Sequence, residues 1–88
     1  MNPEPTLEAL GIRAGQRVRF RRGAGLRWHD GVATRIEKDG SLGLRDAKGA
    51  TRAIRLERVE VRTAGPRGTP RWERLLDVAA RTEQLRLF

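Results

Sequence analysis

Residues 36–54 read IEKDGSLGLRDAKGATRAI, and this stretch decides the fold class. Its apolar residues are separated by two short polar segments, Lys38–Gly40 and Ala47–Gly49, and each segment ends in glycine. A three-residue hairpin loop needs a positive φ at its last position, and glycine adopts that conformation without strain. The stretch therefore predicts three antiparallel strands joined by two tight hairpins.

The pairing register follows from keeping the apolar side chains on one face of the sheet, because a slip of one residue turns every side chain over. Three-residue loops pair Ile36 with Leu42 and Thr34 with Leu44. The second loop pairs Leu42 with Ile54. We expect these pairs to lie side by side on the face that is buried.

Alternation of polar and apolar residues extends the predicted sheet on both sides. In Gln16–Arg21, Val18 and Phe20 face inward and the arginines between them face outward. Two further strands are predicted, one with Val32, Thr34 and Ile36 on a single face and a last short one formed by Val59 and Val61.

Turn and capping signals divide the chain into five segments. Thr6 caps a short helical turn that Gly11 ends, and Thr69 is the N-cap of a helix with Pro70 at its first position. The segments are a lead-in turn over 1–14, a small basic β-barrel over 15–62, a Gly/Pro linker over 63–69, an amphipathic helix over 70–83 and a terminal peptide over 84–88.

The predicted helix has one apolar stripe, with members at i, i+3, i+4, i+7 and i+8. These members are Trp72, Leu75, Leu76, Ala79 and Ala80. The stripe either closes one face of the small barrel or binds a partner.

Composition limits the classes of protein open to this chain. The 88 residues include 19 Lys+Arg against 11 Asp+Glu, for a net charge of +8, and they include no cysteine. This excludes disulfides and thiolate metal sites, and no apolar run suits a transmembrane helix or a secretory signal. We therefore expect a cytoplasmic protein with no membrane partner. The basic excess lies in residues 13–62, which favours a polyanionic partner.

Catalytic and metal chemistry are not predicted. The chain has one histidine, His29, and one serine, Ser41, and no nucleophile–base motif surrounds them. A single histidine without a second nitrogen or sulfur donor does not make a zinc site. We interpret His29 as an exposed loop residue and expect a non-enzymatic protein without metal or cofactor.

The outward-facing arginines of the first strand form a candidate nucleic-acid site. They recur at intervals of about 6.6 Å, and each guanidinium can donate two hydrogen bonds to a phosphate. The alternative is a solvated surface that Glu37, Asp39, Glu57 and Glu60 neutralise locally. The predicted contact residues, with DNA favoured over RNA, are Arg17, Arg19, Arg21, Arg22, Arg27 and Arg35.

Residues 14–20, 31–36, 38–41 and 54–61 together resemble the Src-homology-3-like small barrels of the Tudor and KOW kind. The resemblance covers about half of the chain. It implies a mainly β fold, a four- or five-stranded antiparallel barrel followed by one C-terminal amphipathic helix and a short tail. Barrels of this kind bind RNA, DNA, methylated side chains or other proteins, so the fold leaves the function open.

The last five residues, Gln84-Leu85-Arg86-Leu87-Phe88, are similar to the peptide with which bacterial polymerases and repair factors bind the sliding clamp. The family pattern is Gln-Leu, a variable residue, then Leu-Phe, and all four defining positions match. The resemblance implies that Leu87 and Phe88 fill a hydrophobic pocket, that Leu85 supports them and that the Gln84 amide hydrogen-bonds at a second subsite. The alternative is that the apolar residues dock on the protein's own core.

Together these features predict a bacterial DNA replication or repair accessory, located with the nucleoid. Its expected partners are the sliding clamp, nucleic acid, and a polymerase or repair protein. Two alternatives are a KOW-like RNA- or ribosome-binding module, and an adaptor whose barrel binds a partner protein and brings it to the clamp.

Overall fold

The structure, a computed structural model, describes residues 6–85. One α-helix, α1, covers Leu75–Leu85, and short 3-10 turns lie at Glu8–Leu10, Leu56–Arg58 and Pro66–Gly68. All strand pairs are antiparallel, and the strands form one sheet in the order β4-β3-β2-β1-β5-β6. The strands are β1 Arg17–Phe20, β2 His29–Ile36, β3 Leu42–Asp46, β4 Thr51–Ile54, β5 Val59–Ala64 and β6 Pro70–Arg74.

The two predicted hairpins are confirmed. Ile36 lies opposite Leu42, and Leu42 lies opposite Ile54. Gly40 and Gly49 have φ values of 89° and 85°, the left-handed conformation that the three-residue loops require. A carboxylate supports each loop, since the Asp39 and Asp46 side chains accept backbone hydrogen bonds from the residues that follow them. Local turn chemistry thus fixes the register of β2, β3 and β4.

The predicted pairing of Thr34 with Leu44 is wrong, because β2 contains a bulge. The register shifts between Ala33 and Arg35, so Ala33 lies opposite Leu44 and is buried at 1% exposure. An extra residue in one strand turns the side chains before it to the other face, and periodicity alone does not reveal it. Val32 therefore faces away from the core, contrary to expectation.

The core lies on one face of the sheet, called here the inner face. Val18 and Phe20 of β1 are buried as predicted, at 0% and 2% exposure. The lead-in segment and α1 cover this face, and the Thr6 hydroxyl accepts a hydrogen bond from the Ala9 amide at 3.1 Å, as expected of a cap. The buried apolar residues are Leu7, Ile12, Val18, Phe20, Ala33, Leu42, Leu44, Val59, Val61, Leu75 and Val78.

The predicted linker over 63–69 and helix over 70–83 are corrected. Residues 70–74 form β6, which pairs with β5, and the helix begins five residues later at Leu75. Without β6, the edge of β5 would carry unpaired backbone groups, and Pro70 is tolerated at the first position of an edge strand. Hairpin pairing with β5, the preceding strand, has overridden the helix signal of residues 70–74, so Trp72 lies on a strand and not on the predicted helical stripe.

The mainly β fold with one C-terminal helix is confirmed, whereas the closed barrel is not. The sheet has six strands where four or five were expected, and β4 and β6 form its two edges. The buried stripe of α1 consists of Leu75 and Val78, and Leu76 is 46% exposed. Two roles were predicted for the helix, covering the core and binding a partner. The buried residues of α1 support the first.

Replacing Leu75 with alanine tests the packing of α1. Leu75 is fully buried, so Leu75→Ala removes buried methyl groups and leaves a cavity. We expect the free energy of unfolding, measured in urea, to fall by about 3 kcal/mol. The control is Leu76→Ala in the same turn, and we expect it to cost less than about 1 kcal/mol. Equal losses in the two variants would mean that α1 does not pack through Leu75.

A polar network ties α1 to β6. The Glu73 carboxylate accepts hydrogen bonds from both terminal nitrogens of Arg81, at 2.9 and 3.3 Å, and from the Thr63 hydroxyl at 2.6 Å. The Arg81 guanidinium, followed by the Thr63 hydroxyl, lowers the pKa of Glu73 from 4.5 to about 2. The ionised carboxylate is therefore favoured in the folded state.

Because of this network, the free energy of unfolding depends on pH in the acid range. A lowered folded pKa stabilises the protein above pH 4.5, and this stabilisation is lost as the pH falls toward about 2. Because Arg81 is half exposed, we expect a loss of about 1–2 kcal/mol from this group. Thermal unfolding at stepped pH should show a shallower acid decline for Glu73→Gln than for the unsubstituted chain. Exposed Glu83→Gln is the control, and parallel declines in all three proteins would contradict the assignment.

Candidate nucleic-acid interface and C-terminal peptide

The face of the sheet opposite the core, called here the outer face, is rich in arginine. Because Val18 is buried, its neighbours Arg17 and Arg19 lie on the outer face. Val32 lies opposite both Arg17 and Arg45, which places these two arginines on either side of it. The arginines whose strand positions share this face are Arg17, Arg19, Arg35, Arg45, Arg62 and Arg74, and the acidic residues are Asp30 and Glu60.

Two tryptophans join the arginines into a continuous stack, called here the arginine–tryptophan ladder. The guanidinium carbon of Arg19 lies 4.5 Å from the ring centroid of Trp28 and 4.8 Å from that of Trp72. Arg21 lies 4.6 Å from the Trp28 centroid, and Arg62 lies 5.1 Å from the Trp72 centroid. Each of these contacts is within cation–π range. Each indole therefore contacts two guanidiniums.

Glu60 holds the central arginine of the ladder in place. The Arg19 Nε donates to Glu60 Oε1 at 2.8 Å, and its terminal nitrogen makes a second, short contact with the same oxygen. The Arg19 side chain is only 28% exposed. Because its donors are bound in the plane of the guanidinium, its two flat faces are left for the indoles. Arg19 thus orients Trp28 and Trp72.

Four of the six predicted contact arginines lie on the outer face or at its end. Arg17, Arg19 and Arg21 are on or next to β1, whereas Arg22 and Arg27 are exposed in the loop between β1 and β2. Arg35 lies opposite Gly43, beyond the bulge of β2, and bonds Glu37 at 3.2 Å.

The prediction that acidic residues neutralise the arginines locally holds for part of the surface. Glu60 pairs with Arg19, Glu37 with Arg35, and Glu57 lies 3.9 Å from Arg55. Within residues 6–85, however, four arginines of the outer face or its end have no carboxylate in ion-pair distance. These are Arg17, Arg21, Arg45 and Arg62. The outer face therefore keeps unneutralised positive charge.

Sequence reasoning missed four members of this surface, Arg45, Arg62, Arg74 and Trp72. Two of them had a signal, because Arg45 follows the inward-facing Leu44 and Arg62 follows the inward-facing Val61. Trp72 and Arg74 had none, since their positions depend on the pairing of β6 with β5.

His29 is exposed, as predicted, but it is the first residue of β2, paired with Phe20, and not a loop residue. Its ring stacks on Phe20 with a centroid distance of 5.4 Å. A shallow cavity of about 220 Å³ lies beside the two rings, lined also by Arg22, Asp46 and Lys48. Among the residues that the structure describes, no three His, Cys, Asp or Glu side chains are grouped to hold a metal ion.

The C-terminal peptide begins inside α1. Gln84 and Leu85 form the end of the helix and are exposed, Leu85 by 69%. Leu85 is outside the apolar core, which contradicts the alternative in which it docks on the protein itself. Leu87 and Phe88, the predicted anchors, lie outside the described residues.

Comparisons of this chain with protein families, with curated proteins and with solved structures find no match. Within residues 6–85, no helix has the length and apolar character needed to cross a membrane.

Proposed function

We propose that this protein is a non-enzymatic accessory of bacterial DNA replication or repair that binds the sliding clamp and nucleic acid at once. Gln84, Leu85, Leu87 and Phe88 bind the clamp, and the arginines of the outer face contact phosphates. Such a protein works in the cytoplasm, at the nucleoid. The observation that carries the proposal is the exposure of Leu85, a large apolar side chain that the core does not use.

Helix α1 and the arginines of the proposed phosphate-binding surface lie on opposite sides of the sheet. Helix α1 packs on the inner face through Leu75 and Val78, whereas Arg17, Arg45 and Arg62 lie on the outer face. The end of α1 and the outer face therefore do not compete for the same space. Since the clamp encircles DNA, a protein held by the clamp meets phosphates at raised local concentration.

The helical state of Gln84 and Leu85 is compatible with capture as an extended peptide. The last carbonyl groups of a helix have no intrahelical partner, and helix ends fray. Because neither side chain is buried, unwinding this turn costs little packing. The exposed Leu85 side chain suits a preformed groove on a partner.

The finer fold assignment is part of this proposal. In the first five strands, β5 returns to pair with β1 after the 3-10 turn at Leu56–Arg58. This order supports a relationship to the Src-homology-3-like barrels, with β6 and α1 added at the β5 edge. A fold of this kind is compatible with a clamp-binding accessory, but it does not determine the function.

The deciding experiment is a pull-down of purified bacterial sliding clamp with the full chain and with a chain that ends at Glu83. We expect the full chain to retain the clamp and the shortened chain to lose it. Equal retention by both chains would overturn the proposal.

A further inference from the structure

We propose that the arginine–tryptophan ladder is a binding site for single-stranded nucleic acid, in which unpaired bases stack on Trp28 and Trp72. The inference rests on the proposed function, because it takes nucleic acid as the partner of the outer face. It adds that the nucleic acid is single-stranded, names the residues that contact it, and states that bases replace guanidiniums on the indole rings.

The two indoles are placed to bind bases that are not stacked on each other, as in a single strand. Both ring centroids lie within 5 Å of the Arg19 guanidinium carbon, so they are less than about 10 Å apart. Trp28 immediately precedes β2, and Trp72 is on β6, three strand spacings or roughly 14 Å away across the sheet. The rings therefore approach Arg19 from opposite sides, with the guanidinium between them. Bases at these two indoles cannot stack directly on each other, as they do in a duplex.

The outer guanidiniums can exchange places with bases. Arg21 covers Trp28 and Arg62 covers Trp72, and neither arginine has a carboxylate partner within the described residues. A base stacked on an aromatic ring is held more strongly than an exposed guanidinium is. A displaced guanidinium can then bind the phosphate of the incoming nucleotide. Arg19 stays in place, because Glu60 binds it.

Charge around the ladder favours a polyanion that runs across the strands. Arg17 and Arg45 lie on either side of Val32, on the same face as Arg19 and Arg62. Stacking platforms next to a row of cations are the combination by which proteins hold single strands without reading their sequence. A duplex would meet only the cations, since its base faces are already stacked.

Fluorescence anisotropy with the full-length protein tests the inference. The probes are labelled oligo-dT and oligo-rU of about 20 nucleotides and a DNA duplex of equal length, all at about 50 mM salt. We expect at least one single strand to bind about tenfold more tightly than the duplex and to quench tryptophan fluorescence. The two single strands distinguish DNA from RNA as the source of the bases.

Substitutions separate stacking from charge. We expect Trp28→Leu to weaken single-strand binding by about 5- to 100-fold, and to leave duplex binding within about twofold. Trp28→Phe, which keeps an aromatic face, should restore most of the affinity, and exposed Leu26→Ala in the same loop is the control. Thermal unfolding of each variant identifies any loss of folded protein, in which case the Phe variant decides.

The possible failures are distinguishable. Duplex binding as tight as single-strand binding, or unchanged single-strand affinity in folded Trp28→Leu, would overturn this inference and leave phosphate contact by the outer face intact. Failure of all three probes to bind at low salt would overturn both this inference and the nucleic-acid part of the proposed function. Retention of the clamp in the pull-down is independent of either result.

Discussion

Replacing Leu87 and Phe88 together with alanine should reduce affinity for the sliding clamp by about 1000-fold, because truncation of a buried anchor side chain costs about 2 kcal/mol at each position. The resemblance of the terminal peptide assigns both side chains to one hydrophobic pocket, so the double variant leaves that pocket empty. Isothermal titration of purified clamp with the full chain measures the effect directly.

The matched control for this experiment is Arg86→Ala, one position away. Arg86 occupies the variable position of the pattern, so its loss should change clamp affinity by less than about threefold. The thermal midpoint of each variant shows whether the fold is retained. The assignment would be contradicted by a double variant that still binds like the unsubstituted chain, or by an Arg86 variant that loses as much affinity as the double variant.

Reversing two charges of the outer face should have the second large effect. Arg17 and Arg45 lie on either side of Val32 and have no carboxylate partner among residues 6–85. We expect Arg17→Glu with Arg45→Glu to weaken oligonucleotide binding by about 100-fold at about 50 mM salt, because two phosphate contacts are lost. The slope of log affinity against log salt should become shallower by about two.

A second pair with the same change in net charge is the control. Arg35 and Arg55 are close to Glu37 and Glu57, respectively, and neither contacts the ladder. Arg35→Glu with Arg55→Glu should therefore weaken binding by about tenfold or less, through the general field of the protein. If both pairs cause the same loss, net charge alone governs binding, and Arg17 and Arg45 have no special part in it. This comparison also tests Arg35, which the sequence placed among the contact residues.

Features that depend on neighbours in the chain were predictable from the sequence. The hairpins at Gly40 and Gly49 follow from local turn chemistry, and the inward positions of Val18 and Phe20 follow from alternation. The bulge that includes Thr34 was not predictable, because an inserted residue leaves the local composition unchanged. Packing gives a reason for the observed register, since a Cβ at Gly31 would lie 2.8 Å from the Arg45 carbonyl oxygen.

The candidate site shows the same division. Alternation in β1 predicted Arg17, Arg19 and Arg21, and the terminal pattern predicted the peptide. The ladder itself required Trp72, which reaches Arg19 only because β6 pairs with β5. Its neighbours Leu75 and Leu76 are spaced as in a helix, so the local signal for Trp72 favoured the wrong element.

No loop separates β6 from α1, since Arg74 ends the strand and Leu75 begins the helix. The nine residues of α1 that precede the terminal peptide, 75–83, therefore act as a rigid spacer of about 13 Å between the sheet and that peptide. The helix also fixes the direction in which that peptide leaves, because insertion or deletion of one residue rotates everything after it by about 100°. The length of α1 therefore sets the angle, about the helix axis, between the sheet and the terminal peptide. When the protein is bound through that peptide, this angle determines the direction in which the outer face points.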